Sequence, residues 1–193
     1  MVYILVGIAG FLFAFAFDWA SLRNIPIMKQ MFGIVALGLI AYATVMVCHT
    51  PAKLERPTFL LPLGAVFLVI FLCLLIYSLF IEIPFRTTYA QKGVGNQLIA
   101  EGTYALTRHP GVIWLFFVYI SLILMFPSAT LILAAVIWML MDVIHVLVQD
   151  KLFFPKMFPQ YHLYQQQTPF LIPNRQSISA CLNTIRPRIK PTS

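Results

Sequence analysis

Five long apolar stretches constrain what this chain can fold into: Met1–Phe17, Met31–Cys48, Phe59–Ile81, Gly111–Phe126 and Ala129–Val148, the first four without a charged side chain. A helix needs about 20 apolar residues to cross the hydrocarbon of a bilayer, within a range of about 17–25. The third and fifth stretches meet that length comfortably, and the first and fourth are short. Of the 193 residues, 61% are hydrophobic and 10% are charged, against about 45–50% and about 25% in soluble domains. A chain of this length cannot bury that excess in a core of its own. The expectation is an all-α polytopic membrane protein of about five transmembrane helices, one membrane domain over residues 1–193, with a cytoplasmic C-terminal segment.

The pattern of polarity divides the chain. Residues 1–81 hold three spans with short loops, residues 82–110 a longer polar connection, and residues 175–193 a basic tail. The fourth and fifth stretches are separated only by Pro127-Ser128, which predicts a tight helical hairpin. The first stretch lacks a basic leader and reads as an uncleaved anchor. With five spans, Arg23, Lys29, Arg86, Lys92, Arg108, Lys151, Lys156, Arg175, Arg186, Arg188 and Lys190 share one side, against Lys53 and Arg56 on the other. Positive charge marks the cytoplasmic side, so the N-terminus is expected outside and the C-terminus in the cytoplasm. The net charge of +7 then reflects topology and attraction to anionic lipid. It does not point to nucleic acid, because no basic cluster is interleaved with aromatics.

Cys48, Cys73 and Cys181 have no redox or metal spacing, and the histidines form no HxH or HxxxH pair, so no metal site is expected. Asp18, Arg23 and Glu55 read as interfacial charge. Gly93-Val94-Gly95 lacks both a preceding strand and a third glycine, which excludes a phosphate loop. In the tail, Ile178, Cys181, Leu182 and Ile185 fall at helical spacing; a short interfacial helix and a frayed end are both open.

Three features can carry chemistry. In Arg108-His109-Pro110, proline suits the first position of a helix, where free N–H groups and a partial positive charge gather. Arg108 adds a fork of donors, and the corner reads as a receptor for a carboxylate or phosphate, or as side chains snorkelling to headgroups. Trp138, Asp142, His145 and Gln149 share one face of the fifth helix. An acid inside the hydrocarbon is functional by default, although an Asp142–His145 pair that satisfies itself is the alternative. Tyr161-xx-Tyr164, followed by Pro169 to Pro173, offers faces for stacking or an aromatic belt. Because the last hairpin joins the two polar segments, Arg108 and Asp150 are expected to meet.

Taken together, Leu98-Ile99-x-Glu101-Gly102-x-Tyr104-xxx-Arg108-His109-Pro110, two spans, an acid, Tyr161-xx-Tyr164 and Pro173 resemble the isoprenylcysteine carboxyl methyltransferase family and its wider group with phospholipid N-methyltransferases. The resemblance covers about residues 94–174. It implies an integral membrane methyltransferase that uses S-adenosyl-L-methionine, with the cofactor in a cytoplasmic pocket and a lipophilic small-molecule or lipid acceptor arriving through the bilayer. By that resemblance, Leu98, Ile99, Gly102, Tyr104, Arg108, His109, Pro110, Asp150, Tyr161 and Tyr164 form the cofactor-binding set, and Arg108, Asp150 and His145 are the catalytic candidates. A carboxylate acceptor needs no general base, whereas an amine gives up a proton, to His145 or Asp150.

The sequence also departs from the family pattern. Gln149-Asp150 stands where the family has a Glu-Glu pair, Val112 where it has tyrosine, and Met157-Phe158-Pro159 where it has Phe-Gly. Sterol reductases that use NADPH carry a similar Arg-His-Pro corner, and a non-enzymatic assembly or transport-related protein, built around Asp142 and His145, is the alternative from another class.

Overall fold

The computed structural model describes residues 1–51, 54–83 and 98–185, with the side chain of Ile185 excepted. Arg86, Lys92, Gly93, Gly95, Lys53, Arg186, Arg188 and Lys190 lie outside the described residues, so the expectations that rest on them stand as sequence readings. The fold is all-helical, with 79% helix and no strand among the described residues.

Helices α1 (Val2–Leu22) and α2 (Pro26–Cys48) form an antiparallel hairpin, the largest helix–helix contact among the described residues. Helix α3 (Leu60–Ile76) runs on through a π-helical turn, Tyr77–Glu82. A short α4 (Thr103–Leu106) precedes α5 (Pro110–Met125), which packs along α3. Helix α6 (Ala129–Val148) passes through a second π-helical turn, Gln149–Phe153, into α7 (Phe154–Met157). Two peripheral helices follow, α8 (Tyr161–Gln167) and α9 (Arg175–Ile185).

Among the described residues, four helices are long and apolar enough to cross a membrane: Val2–Leu22, Pro26–Cys48, Leu60–Glu82 and the continuous Ala129–Met157. The fourth apolar stretch of the sequence is a helix of 16 residues, α5, shorter than those four. The first is longer than its uncharged run suggests, because the helix continues through Asp18 to Leu22. The last hairpin forms as expected. Ser128 caps α6, its Oγ accepting from the Leu131 N–H at 3.1 Å, which satisfies one of the unpaired donors at a helix start.

Helix α6 lies against α1 and, more lightly, α5 and α2. Its polar face does the docking. Trp138, fully buried, donates its indole N–H to the Ile4 carbonyl at 3.1 Å. One helical turn further along α1, Gly7 leaves room for that indole; a Cβ there would stand 2.2 Å from Trp138 Cε2. Tyr119 of α5 packs beside Trp138 and shares a 3.0 Å hydrogen bond with Thr44 of α2. Because Ile4 meets Trp138 while Asp18 meets His145 and Gln149, α1 and α6 run parallel. That direction carries the charged end of α1 to the same end of the molecule as the Arg-His-Pro corner.

Candidate functional site

The corner is built where α5 begins. Pro110 takes the first helical position and His109 the cap, as the sequence pattern requires. The chain before it is pinned by backbone: the Arg108 N–H donates to the Pro169 carbonyl at 3.0 Å. Gly102 sets the entry turn with φ of +60°, a conformation that side chains disfavour. Glu82, at the end of the third span, accepts from the Thr103 N–H at 2.7 Å and from the Thr103 hydroxyl. The Gly102 N–H donates to Thr184 Oγ1 of α9 at 2.9 Å. The tail segment therefore forms a helix with Cys181 buried, while Ile178 and Leu182 stay exposed.

Arg108 and Asp150 do meet. The Arg108 Nη1 group reaches Oδ1 and Oδ2 of Asp150 at 2.6 and 2.8 Å. The Tyr161 hydroxyl donates to Oδ1 at 2.5 Å, and Gln165 Nε2 donates to Oδ2 at 3.2 Å and to the Asp150 carbonyl at 3.1 Å. Gln149-Asp150 sits on the π-helical turn, and the wider turn brings the short Asp arm into this ring of donors. Tyr164 donates to the Tyr104 carbonyl at 2.6 Å, and Tyr104 donates to the Ser78 carbonyl at 3.1 Å. The guanidinium lies over Phe170, 5.4 Å from the ring centroid.

In this geometry the carboxylate that the Arg108 corner receives is that of Asp150. Arg108 is paired with Asp150, so the two side chains carry no net charge together. Donors nonetheless remain. Arg108 Nε, His109 Nε2, Thr107 Oγ1 and Trp114 Nε1 are buried without a hydrogen-bond partner among the described residues. His109 Nε2 stands 3.5 Å from Asp150 Oδ1, beyond good hydrogen-bond length. Its ring is stacked on Phe154 and meets the edge of Phe170. Burial pushes the His109 pKa below that of a free imidazole, and the Asp150 carboxylate only partly offsets this. Burial also raises the Tyr161 and Tyr164 hydroxyls above the ordinary tyrosine range, so both act as proton donors.

A cavity opens beside the pair, about 760 Å³ of empty space including its open mouth. Leu98, Ile99, Tyr104, Arg108, Tyr161 and Tyr164 line it, six of the ten residues of the sequence-derived set. Gly102, His109, Pro110 and Asp150 are not in the lining, and Asp150 is bonded to two residues that are, Arg108 and Tyr161. Phe154, Met157 and Phe158 close the wall with apolar surface.

The opposite wall comes from α1 and α2. Phe17, Asp18, Ser21 and Lys29 line the same cavity. The reading of Asp18 as interfacial charge is overturned, since its residue is 3% exposed. His145 Nε2 stands 2.7 Å from Asp18 Oδ2, and Gln149 Nε2 donates to that oxygen at 2.9 Å. The self-satisfied Asp142–His145 pair is corrected too: His145 takes its partner from the first helix, and it joins neither the Arg108–Asp150 pair nor the cavity lining. The sequence signal for Asp18 was its place at the charged end of an otherwise uncharged helix, but no local pattern links it to residues more than a hundred positions on.

Fold and site together define a helical membrane-type protein with a polar-ended aromatic cavity at the charged ends of its long helices. The chain matches no family model, no curated protein and no solved structure.

Proposed function

We propose that the cavity binds S-adenosyl-L-methionine and that the protein transfers its methyl group to a membrane-resident acceptor. In this reading the protein has five spans, with the N-terminus outside and the cavity facing the cytoplasm, as the distribution of Lys and Arg requires. The observation that carries the reading is the convergence of Tyr104, Arg108, Tyr161 and Tyr164 on one cavity beside unpartnered donors.

The chemistry of the walls suits such a cofactor. Bound there, it supplies a methyl group already activated by a sulfonium. The tyrosine and phenylalanine faces suit a flat base and a sulfonium cation. The Arg108–Asp150 pair, neutral overall, suits a head group that carries both charges. The Arg108 Nε–H and His109 Nε2 give the corner capacity for hydrogen bonds beyond those to Asp150. The protein's part is to align donor and acceptor and to exclude water. The apolar outer surface of α3, where Val66, Val69 and Ile70 are exposed, suits a chain surrounded by the lipid that would deliver the acceptor.

Calorimetric titration of the detergent-purified protein with S-adenosylhomocysteine, with NADPH in parallel, tests the reading. Binding of the first alone, weakened at least about tenfold in Arg108→Ala (about 1.4 kcal/mol), is the expected outcome. Binding of NADPH alone moves the protein to the reductases.

A further inference from the structure

The second polar wall of the cavity is not explained by cofactor binding. Asp18 presents two oxygens in different situations. Oδ2 is occupied from behind by His145 and Gln149 of α6. Oδ1 carries no hydrogen bond among the described residues, on a side chain that lines the cavity. A carboxylate selects the imidazole tautomer with its proton on Nε2, so His145 steadies the anion and fixes its direction. Lys29, 4% exposed, lines the same wall, its ammonium 5.7 Å from the Phe17 ring centroid. Two buried charged side chains on the first helical hairpin therefore face the wall formed by Tyr104, Arg108 and Tyr161. A charge buried in low dielectric is costly, and a membrane helix rarely carries one without a use.

Resting on the methyltransferase reading, we infer that Asp18 is the proton acceptor of this cavity and that the methyl acceptor is a lipophilic phenol. Three acceptor chemistries meet this wall differently. A carboxylate has no proton to give, so Asp18 has no part in its reaction. An alkylammonium meets the Lys29 cation on this wall and reacts only after losing a proton. A phenol enters neutral, stacks on Phe17, Tyr104 or Phe158, and becomes anionic only as it reacts, where the Lys29 cation steadies the oxygen. The phenolic oxygen forms a bond to the methyl carbon while the carbon–sulfur bond breaks, its electron pair staying on sulfur. The O–H proton passes to Asp18 Oδ1. The products are an aryl methyl ether, a neutral thioether and a protonated Asp18 that releases its proton to water. His145 acts through Asp18 and is a positioning residue.

The test uses the full chain in lipid nanodiscs, loaded with S-adenosylhomocysteine. An alkylated para-nitrophenol is titrated in, because its visible band reports loss of the phenolic proton. Separately, transfer of labelled methyl is followed to decylphenol and to decanoate. Asp18→Asn keeps an oxygen for the bonds from His145 and Gln149 and is expected to bind S-adenosylhomocysteine within about twofold of the parent. It should lose the phenolate band and slow transfer to decylphenol about 100-fold, the usual worth of a general base. His145→Gln should give an intermediate loss. Equal bands and rates in parent and Asp18→Asn overturn the inference. So does transfer to decanoate in preference to decylphenol, or no transfer to decylphenol by a parent protein that binds S-adenosylhomocysteine. Failure of the parent to bind S-adenosylhomocysteine removes the methyltransferase reading itself, and the inference with it.

Discussion

The last long helix is held in opposite ways at its middle and beyond its end. Midway along α6, Trp138 is enclosed by Ile4, Gly7 and Tyr119, and its one polar atom is spent on a backbone carbonyl. Where α6 continues into its π-helical turn, Asp150 accepts from Arg108, Tyr161 and Gln165, while Arg108 Nε and His109 Nε2 have no hydrogen-bond partner among the described residues. The first region satisfies its polar groups once each and closes around them. The second concentrates more polar capacity than it uses and leaves a cavity next to it. Closed packing serves only the fold, whereas surplus donors around open space are what a ligand site needs.

The largest effect on this contrast is expected at the polar end. Asp150→Ala removes the one carboxylate that Arg108 and Tyr161 share and leaves a buried guanidinium unpaired. Breaking such a pair costs about 3–5 kcal/mol, read as a lower thermal unfolding midpoint in detergent. If the variant unfolds like the parent, the Arg108–Asp150 pair does not hold the corner.

At the packed middle of α6, Gly7→Leu tests the other half of the contrast. Its side chain would enter the space of the Trp138 indole, where even a Cβ comes within 2.2 Å. Overpacking of this kind costs about 1–3 kcal/mol. The expected result is a lower unfolding midpoint and a more exposed tryptophan emission, with the distance between Arg108 and Asp150 unchanged. A loss of S-adenosylhomocysteine affinity equal to that of Arg108→Ala would show that the two regions are not independent.

The smallest effect is a pH dependence at His109. Burial lowers its pKa in the folded state below the free value of about 6.5. Above that value both states hold the neutral ring and nothing is lost. As pH falls below about 6.5 the unfolded chain takes up a proton that the folded one resists, so stability declines through the lowered folded pKa. Unfolding midpoints measured at pH 8 and pH 5.5 should differ less in His109→Gln than in the parent. An identical slope would remove His109 from the acid sensitivity of the corner.

Much of the helical architecture was legible in the sequence. Uninterrupted apolar runs gave the long helices, Pro127-Ser128 gave the hairpin, and Pro110 gave the start of α5, because each is a local property of the backbone or of hydropathy. The meeting of Arg108 and Asp150 was legible too, since a short hairpin must return its ends to the same level. Span length was less so, as α1 runs through Asp18, where a charge suggested its end.

The sequence by itself determined the helices, their approximate lengths and which polar residues lie near their charged ends. Only the tertiary structure decided the partners. His145 had an acid three residues away on its own helix and took Asp18 from α1 instead. Arg108 spends its charge on Asp150, and Asp18, read as interfacial charge, stands in a cavity wall that Lys29 shares. The physical reason is that hydropathy and helix caps are written within a few residues. A buried polar group takes whichever partner the packing of distant helices brings within about 3 Å, and that choice follows the parallel docking of α1 on α6.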